Sequence, residues 1–412
     1  MGMLFDDFRR DPYPGRPKIL FIGLSESTHT HSWIDLLNQS EFNVRLFALP
    51  SGMPPADWGI RTYVTQLTNR KLNPKTMVGL FSSRWIWRFM KHHAAKSIWG
   101  GTQELVDRWL VRIIRQWQPD IIHVLGLDPA GSFFFRVRQR FHLGGLGRWI
   151  LQLRGGSDLT LNRLNPKISP HLGEVLRHCD QLLSDNEQNF RYALEMGMKK
   201  ERITSLGTVP GTGGVPVSLL EESWRGNPSM RRLIVWPKAY DSPWSKALPV
   251  FEAIRMVWDQ IQPCRIHMFA MTPETEMWFW ALPEAIRNHC EIEERMPRDK
   301  VLEQMVRARV MLAPSLVDGT PNSMFEAMAA GAFPILSPLE SITALVKNEQ
   351  NVLLARNLYP EEIAHALFRA MTDDALVDRA AKRNLELVGK IADRAKIRPR
   401  VVEFYERLAK ER

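Results

Sequence analysis

Residues Val310–Gly331 read VMLAPSLVDGTPNSMFEAMAAG, and their reading decides the fold. Val310, Met311, Leu312 and Ala313 form a short apolar run closed by Pro314 and Ser315, the pattern of a buried parallel strand that stops at a functional edge. Asp318, Gly319 and Thr320 make a turn. Pro321 suits the first helical position, Asn322 and Ser323 follow, and Met324, Phe325, Ala327, Met328 and Ala329 supply an apolar helix that Gly331 ends. Asp318 and Glu326 stand eight positions apart, one in the loop and one about a turn inside the helix, so both can face one crevice. At such a junction the free backbone N–H groups and the positive helix end favour an anion, commonly phosphate. Carboxylates beside a phosphate would repel it, so their use is to accept hydrogen bonds from neutral hydroxyls on the same ligand. A nucleotide-sugar offers both kinds of group. The plain structural alternative makes Asp318 a turn residue and Glu326 a solvated helix residue.

Outward from this stretch the chain repeats the same unit. Arg232–Trp236 (RLIVW), Cys264–Ala270, Phe333–Leu336 and Asn351–Leu354 read as further strands, and Lys238 and Lys246 flank the loop after the first of them. Two such point charges could hold a diphosphate against the helix dipole. Toward the N-terminus, Lys18–Gly23 (KILFIG), Phe42–Leu49, Asp120–Gly126, Trp149–Leu153 and Gln181–Ser184 form another strand series. Strands alternating with helical segments predict parallel α/β sheets. Ligands in such sheets bind at the carboxyl ends of strands, which makes His29, His31, Arg154, Ser157 and Asp158 candidates. His123, inside a strand pattern, reads as a core histidine. Leu206–Val217 (LGTVPGTGGVPV) packs four glycines and two prolines into twelve residues and reads as a domain connection; a phosphate loop is disfavoured because the Walker lysine and hydroxyl are missing.

A chain of 412 residues exceeds the size at which one core keeps growing, so two domains are expected. The three cysteines, Cys179, Cys264 and Cys290, are too widely spaced for a metal knuckle or a disulfide framework, which suits a reducing compartment. No signal peptide and no run of about 20 apolar residues is apparent, so a cytoplasmic protein is expected. The net charge of +10 sits entirely in the first half: residues 1–200 hold 27 Lys+Arg against 17 Asp+Glu, and residues 51–150 hold 15 against 5. Such a bias suits an acidic partner. Phe81–Trp99 predicts a basic amphipathic helix with Phe81, Trp85 and Phe89 on one face beside Arg84, Arg88 and Lys91, fit for an anionic membrane surface or for packing on its own domain. No nucleic-acid motif accompanies the charge. Beyond Asp373 a charged helical segment is expected, kinked at Pro399.

These residues resemble the retaining glycosyltransferases of family 4, whose GT-B architecture sets two Rossmann-like domains face to face. The resemblance is strongest over Arg307–Ala370, where Asp318 and Glu326 match the family's paired acids with seven residues between them, the first of which is ordinarily Glu. KILFIGLSESTHTHSW resembles the first strand and loop lining the acceptor side, and LQLRGGSDL resembles a His-Gly-Ser-Asp strand end with Gly155 in the histidine's place. The resemblance implies an acceptor-binding domain over 17–207, a nucleotide-sugar domain over 208–390 and a C-terminal helix over 391–412 packing back on the first. It implies that Glu326 holds ribose hydroxyls, that Asp318 holds the donor sugar, and that Gly319, Thr320, Pro321, Asn322 and Ser323 complete the donor site. It further implies that Lys238 and Lys246 neutralise the leaving diphosphate without a metal or other cofactor, the donor being UDP- or GDP-linked. Arg154, His29 or His31 would stand in for the missing histidine. With the charge bias, the acceptor is expected to be phosphorylated or lipid-linked, at the inner face of the cytoplasmic membrane. An epimerase or hydrolase of the same plan, or an inactive binding protein, are the rival expectations.

Overall fold

The computed structural model describes residues 8, 10–55, 57–65, 76–78, 95–154, 157–294 and 296–411. Two parallel sheets account for the architecture. The first has eight strands: β1 (Lys18–Gly23), β2 (Asn43–Ala48), β3 (Arg61–Val64), β4 (Thr76–Val78), β5 (Ile121–Leu125), β6 (Arg148–Gln152), β7 (Gln181–Ser184) and β8 (Ile203–Thr208), in the order β4-β3-β2-β1-β5-β6-β7-β8. The second has six: β9 (Leu233–Trp236), β10 (Arg265–Phe269), β11 (Cys290–Glu293), β12 (Ala308–Ala313), β13 (Phe333–Leu336) and β14 (Leu353–Leu354), in the order β11-β10-β9-β12-β13-β14.

Both orders reverse once. The chain runs outward from β1 to β4, then returns to β5 on the other side of β1. In the second sheet it runs from β9 to β11 and returns to β12 beside β9. Helices leaving the two sides of such a reversal diverge, opening a crevice at the carboxyl ends of β1 and β5 and of β9 and β12.

The strands form where apolar runs are buried on both faces. Every residue of β5 and β12 is buried, with helices covering each side of the sheet. Each fully buried Leu, Ile or Phe contributes about 1.5–3 kcal/mol of apolar burial. The helix Asn322–Ala329 buries Met324, Phe325, Ala327, Met328 and Ala329. Pro321 precedes that helix rather than opening it: its ψ of 123 is extended, and Asn322 is the first helical residue. Gly331 ends the turn with φ +77, where a Cβ would lie 2.9 Å from the Trp224 ring, so glycine is required there.

The strand series expected from the sequence appears at its positions, with β3, β4, β8 and β11 in addition. The predicted helix over 81–99 lies outside the described residues as far as 94; the helix Ala95–Trp117 begins there and packs Trp109, Leu110, Ile113 and Ile114 on the first sheet.

The chain crosses between the sheets twice, and the two crossings touch. Val215 N–H donates to Ala392 O at 2.8 Å and Arg394 N–H donates to Val215 O at 2.9 Å. This pairing breaks the terminal helical segment at Ala392–Asp393, between helices Asp374–Ile391 and Arg394–Lys410, and not at Pro399, which lies inside the second helix. Gly214 makes the approach possible: at φ +87, a Cβ there would sit 2.4 Å from Ala392 O. Helix Arg394–Lys410 then packs Ile397, Val401, Phe404, Tyr405 and Leu408 against Ile19, Phe21 and Ile150 of the first sheet. Tyr405 is fully buried; Trp33 Nε1 donates to its hydroxyl at 3.0 Å, and His123 Nδ1 lies 2.5 Å from the same oxygen.

Candidate active site

The carboxyl ends of both sheets converge on a cavity of about 380 Å³. The first sheet contributes Thr28 and His29 after β1, Arg154 after β6 and Asp185 after β7, and the connection contributes Gly211 and Thr212. The second contributes Lys238 after β9, Met296, Arg298 and Val301 after β11, and Asp318, Thr320, Pro321, Asn322, Ser323 and Glu326 after β12.

Two cation–carboxylate pairs form the second-sheet wall. The Lys238 ammonium donates to Asp318 Oδ2. Burial pulls the Lys238 pKa down, but Asp318, Tyr240 and Glu326 outweigh it and hold the group above its ordinary value. Arg298 Nε donates to Glu326 Oε1 at 2.9 Å, and its Nη2 lies 2.9 Å from the same oxygen. Glu326 is only 7% exposed, so it meets the cavity from inside the helix rather than solvent. The loop backbone is fixed from behind: Ser341 Oγ lies 3.0 Å from both Asp318 O and Gly319 O, and Ser245 Oγ and Asn357 Nδ2 donate to Pro314 O at 3.3 and 3.1 Å.

The facing wall holds one cation, Arg154, and one carboxylate residue, Asp185. Arg154 Nε and Nη2 are buried without a hydrogen-bond partner among the described residues, and burial lowers the pKa of the group to about 10, offset by Asp158 and Asp185. His29 is held at about 3 by burial and then by Arg154, Lys238 and Arg298, so it is neutral at pH 7. Asp158 is pushed up to about 6 by burial while its carboxylate accepts from the backbone N–H of Arg154 at 2.7 Å and of Leu127 at 3.3 Å. Its role is to fix the β6 strand end.

Bonds also span the cleft. Thr320 Oγ1 donates to Asp185 O at 2.9 Å, Thr212 Oγ1 donates to Asn322 Oδ1 at 2.8 Å, and Asn322 Nδ2 lies 3.4 Å from His29 Nδ1. Arg298 Nη1 donates to Ser32 Oγ at 2.8 Å.

Of the residues singled out in the sequence, the structure brings Asp318, Thr320, Pro321, Asn322, Ser323, Glu326, Lys238, His29 and Arg154 to this one cavity. Others lie apart. Gly319 lends its carbonyl to Ser341. His31 turns back to Ser25 O at 2.5 Å and stacks 4.4 Å from the Trp58 ring. Asp158 supports Arg154 from below, and Ser157 opens the helical turn Ser157–Leu161. Lys246 is not among the residues that line this cavity; its backbone N–H donates to Asn357 Oδ1 at 2.9 Å, and Asn357 Nδ2 donates to Pro314 O at 3.1 Å, which ties the Lys246 loop to the loop that carries Asp318.

Sequence reading missed Arg298, Asp185 and Thr212. Arg298 opens RDKVLEQMVR, a charged helix that reads as a solvated face. Asp185 follows Ser184 at the end of β7, so the strand-end rule that selected Arg154 would have found it. Among the described residues no group of three or more His, Cys, Asp or Glu is placed to hold a metal ion, and no helix is long and apolar enough to cross a membrane.

Residues 232–373 match the family described as Glycosyl transferases group 1. No curated protein matches the chain by sequence. Among solved structures, the chain resembles sucrose-phosphate synthase from Thermosynechococcus elongatus, at 13% identity and a TM-score of 0.69 over 96% of this chain and 100% of that one. It also resembles Anabaena HepE in complex with UDP-glucose (11% identity, TM-score 0.66, 94% and 98% covered). A third likeness is to α,α-trehalose 6-phosphate synthase from Burkholderia multivorans (15%, 0.64, 96% and 99%). The chain therefore has the GT-B fold of two facing parallel-sheet domains, and its second sheet lies within a segment, residues 232–373, that matches the group 1 glycosyl transferase family.

Proposed function

We propose that the protein is a retaining glycosyltransferase that moves a sugar from a nucleoside-diphosphate sugar to a glycan acceptor that is phosphorylated or lipid-linked. The observation that carries this reading is the pair of cation–carboxylate contacts, Lys238–Asp318 and Arg298–Glu326, on one wall of the interdomain cavity. Cations and carboxylates alternate there as a ligand with both phosphates and hydroxyls requires.

Glu326 accepts hydrogen bonds from the ribose hydroxyls, and Asp318 accepts them from the donor sugar. Lys238, with its ammonium in the cavity, meets the negative charge that grows on the leaving diphosphate, a stabilisation strongest in the transition state. The acceptor hydroxyl attacks C1 from the side on which the C1–O bond to the diphosphate breaks, and the leaving phosphate oxygen takes the hydroxyl proton. Configuration at C1 is then kept, and neither a protein nucleophile nor a bound metal enters this scheme. Neutral His29 and cationic Arg154 line the acceptor side. The excess of 15 basic over 5 acidic residues across 51–150 supports an anionic acceptor held at the inner face of the cytoplasmic membrane.

Calorimetric titration with UDP, GDP and their sugars tests the donor side: one nucleotide series is expected to bind, and weaker binding on Glu326→Ala is expected with it. Labelled donor incubated with polyprenyl-diphosphate-linked and with neutral soluble oligosaccharide tests the acceptor side. Equal transfer to both defeats the charge argument, and full turnover of donor without any acceptor favours a hydrolase or epimerase instead.

A further inference from the structure

Four segments of the chain meet at one buried hydroxyl. Ser32, 5% exposed on the helix Thr28–Ile34 behind His29, donates from Oγ to Thr212 O at 2.9 Å. The same Oγ accepts from Arg298 Nη1 at 2.8 Å and lies 3.4 Å from Arg394 Nη1. Arg394 also donates to Thr212 O at 2.8 Å and to Ser32 O at 2.7 Å. Helix Thr28–Ile34 belongs to the first domain, Thr212 to the connection, Arg298 to the helix Arg298–Arg307 of the second domain, and Arg394 to the returning helix.

Arg298 is the member that also touches Glu326. One guanidinium makes both contacts, from Nε to Glu326 Oε1 and from Nη1 to Ser32 Oγ. A planar guanidinium holds its donors at fixed angles, so moving Ser32 relative to the second domain turns the plane that holds Glu326. Lysine, with one rotatable ammonium on a flexible stem, cannot present both contacts in that geometry.

We propose that Arg298 is a positioning residue, which aligns the Glu326 carboxylate for the ribose hydroxyls only while Ser32 of the facing domain is engaged, so that nucleotide affinity and domain closure are set together. This inference rests on the assignment of Glu326 to ribose. Both Arg298 contacts to Glu326 fall on Oε1, which leaves the direction of Oε2 to be set by the same contact. Ser32 does not itself line the cavity, so a loss of nucleotide affinity on removing its Oγ reports coupling through Arg298 rather than a missing ligand contact.

The test uses the full chain and four forms: wild type, Ser32→Ala, Arg298→Lys and the double variant. Each is titrated calorimetrically with UDP and with GDP, and small-angle scattering records the radius of gyration with and without the nucleotide that binds. Each single variant is expected to weaken binding roughly tenfold, as coupling between sites typically does. The double variant is expected to be no weaker than Arg298→Lys alone, because the two changes cut one link. Nucleotide is expected to compact wild type more than either variant. Single variants that bind as tightly as wild type, or losses that simply add in the double variant, overturn the inference. Wild type that binds neither nucleotide overturns the ribose assignment first, and the inference with it.

Discussion

The Lys238 ammonium and the Asp318 carboxylate meet at the point where the second sheet reverses, one just beyond β9 and the other beyond β12. Each has only partial access to solvent, with side-chain exposures of 23% and 19%. The contact holds two groups of opposite use at one spot, and removing either should reveal what the other does.

Asp318→Ala removes the acceptor proposed for the donor sugar and frees Lys238 to face phosphate. Affinity for the nucleotide-sugar is expected to fall about 10- to 100-fold, the range for a hydrogen bond to a charged group. Affinity for the free nucleotide is expected to hold or tighten. Parallel calorimetric titrations check this, and equal losses for both ligands would contradict the division of roles between Asp318 and Glu326.

Lys238→Gln removes the charge that meets the leaving diphosphate but keeps most of the side chain. The turnover number is expected to drop about 10²- to 10³-fold, as for other groups that act on developing charge, with a smaller change in donor KM. Initial-rate kinetics over a donor series measure the split. A change confined to KM would make Lys238 a simple binding group.

The long strands of both sheets are legible in the amino-acid sequence except β8, whose ITSLGT is only partly buried. Runs such as KILFIG and VMLA are apolar on both faces, as a covered parallel strand requires, and the loop and helix after VMLA carry the two acids of the cavity wall, Asp318 and Glu326. The short strands β3, β4 and β11 are not legible, since RTYV, TMV and CEIE are brief and half polar. Arg298 and Thr212 escape for a different cause. Their importance lies in what they touch across the cleft, and nothing local distinguishes Arg298 from the surface arginines of an ordinary charged helix. Lys246 follows β9 at a plausible distance, but it is not among the residues that line the cavity.

Tyr405→Phe tests the returning helix. The hydroxyl accepts from Trp33 Nε1 and bonds His123 Nδ1 in a site with no water-exposed alternative, so its loss should cost about 1–3 kcal/mol. Thermal unfolding is expected to shift down by several degrees with nucleotide binding retained below the transition. An unchanged midpoint would mean that the apolar contacts of the helix alone hold it to the first domain.

His123 gives the protein a defined pH response. Burial keeps its pKa well below the usual 6.5, so below about pH 6.5 the unfolded chain binds a proton that the folded chain refuses. Stability from this group is therefore present above that pH and falls as pH drops, by up to about 1.4 kcal/mol per pH unit. His29, held at about 3, has the same sign. Asp158, raised from 3.8 to about 6, has the opposite sign between those values, since the folded chain takes its proton first. Between pH 6.5 and 5 a net loss of stability is expected, and His123→Phe is expected to make it shallower. Chemical denaturation at several pH values gives the slope directly, and the same slope in the variant would remove His123 from this account.

The double crossing at Val215 and Ala392–Arg394 restricts how the two domains can part. Because the outgoing and returning strands of the chain are joined by backbone hydrogen bonds where Gly214 lets them touch, an opening that keeps these bonds cannot slide the domains past each other or draw them apart. What remains is rotation about a short, two-stranded axle. The cleft then behaves as a book whose spine is fixed at Gly214.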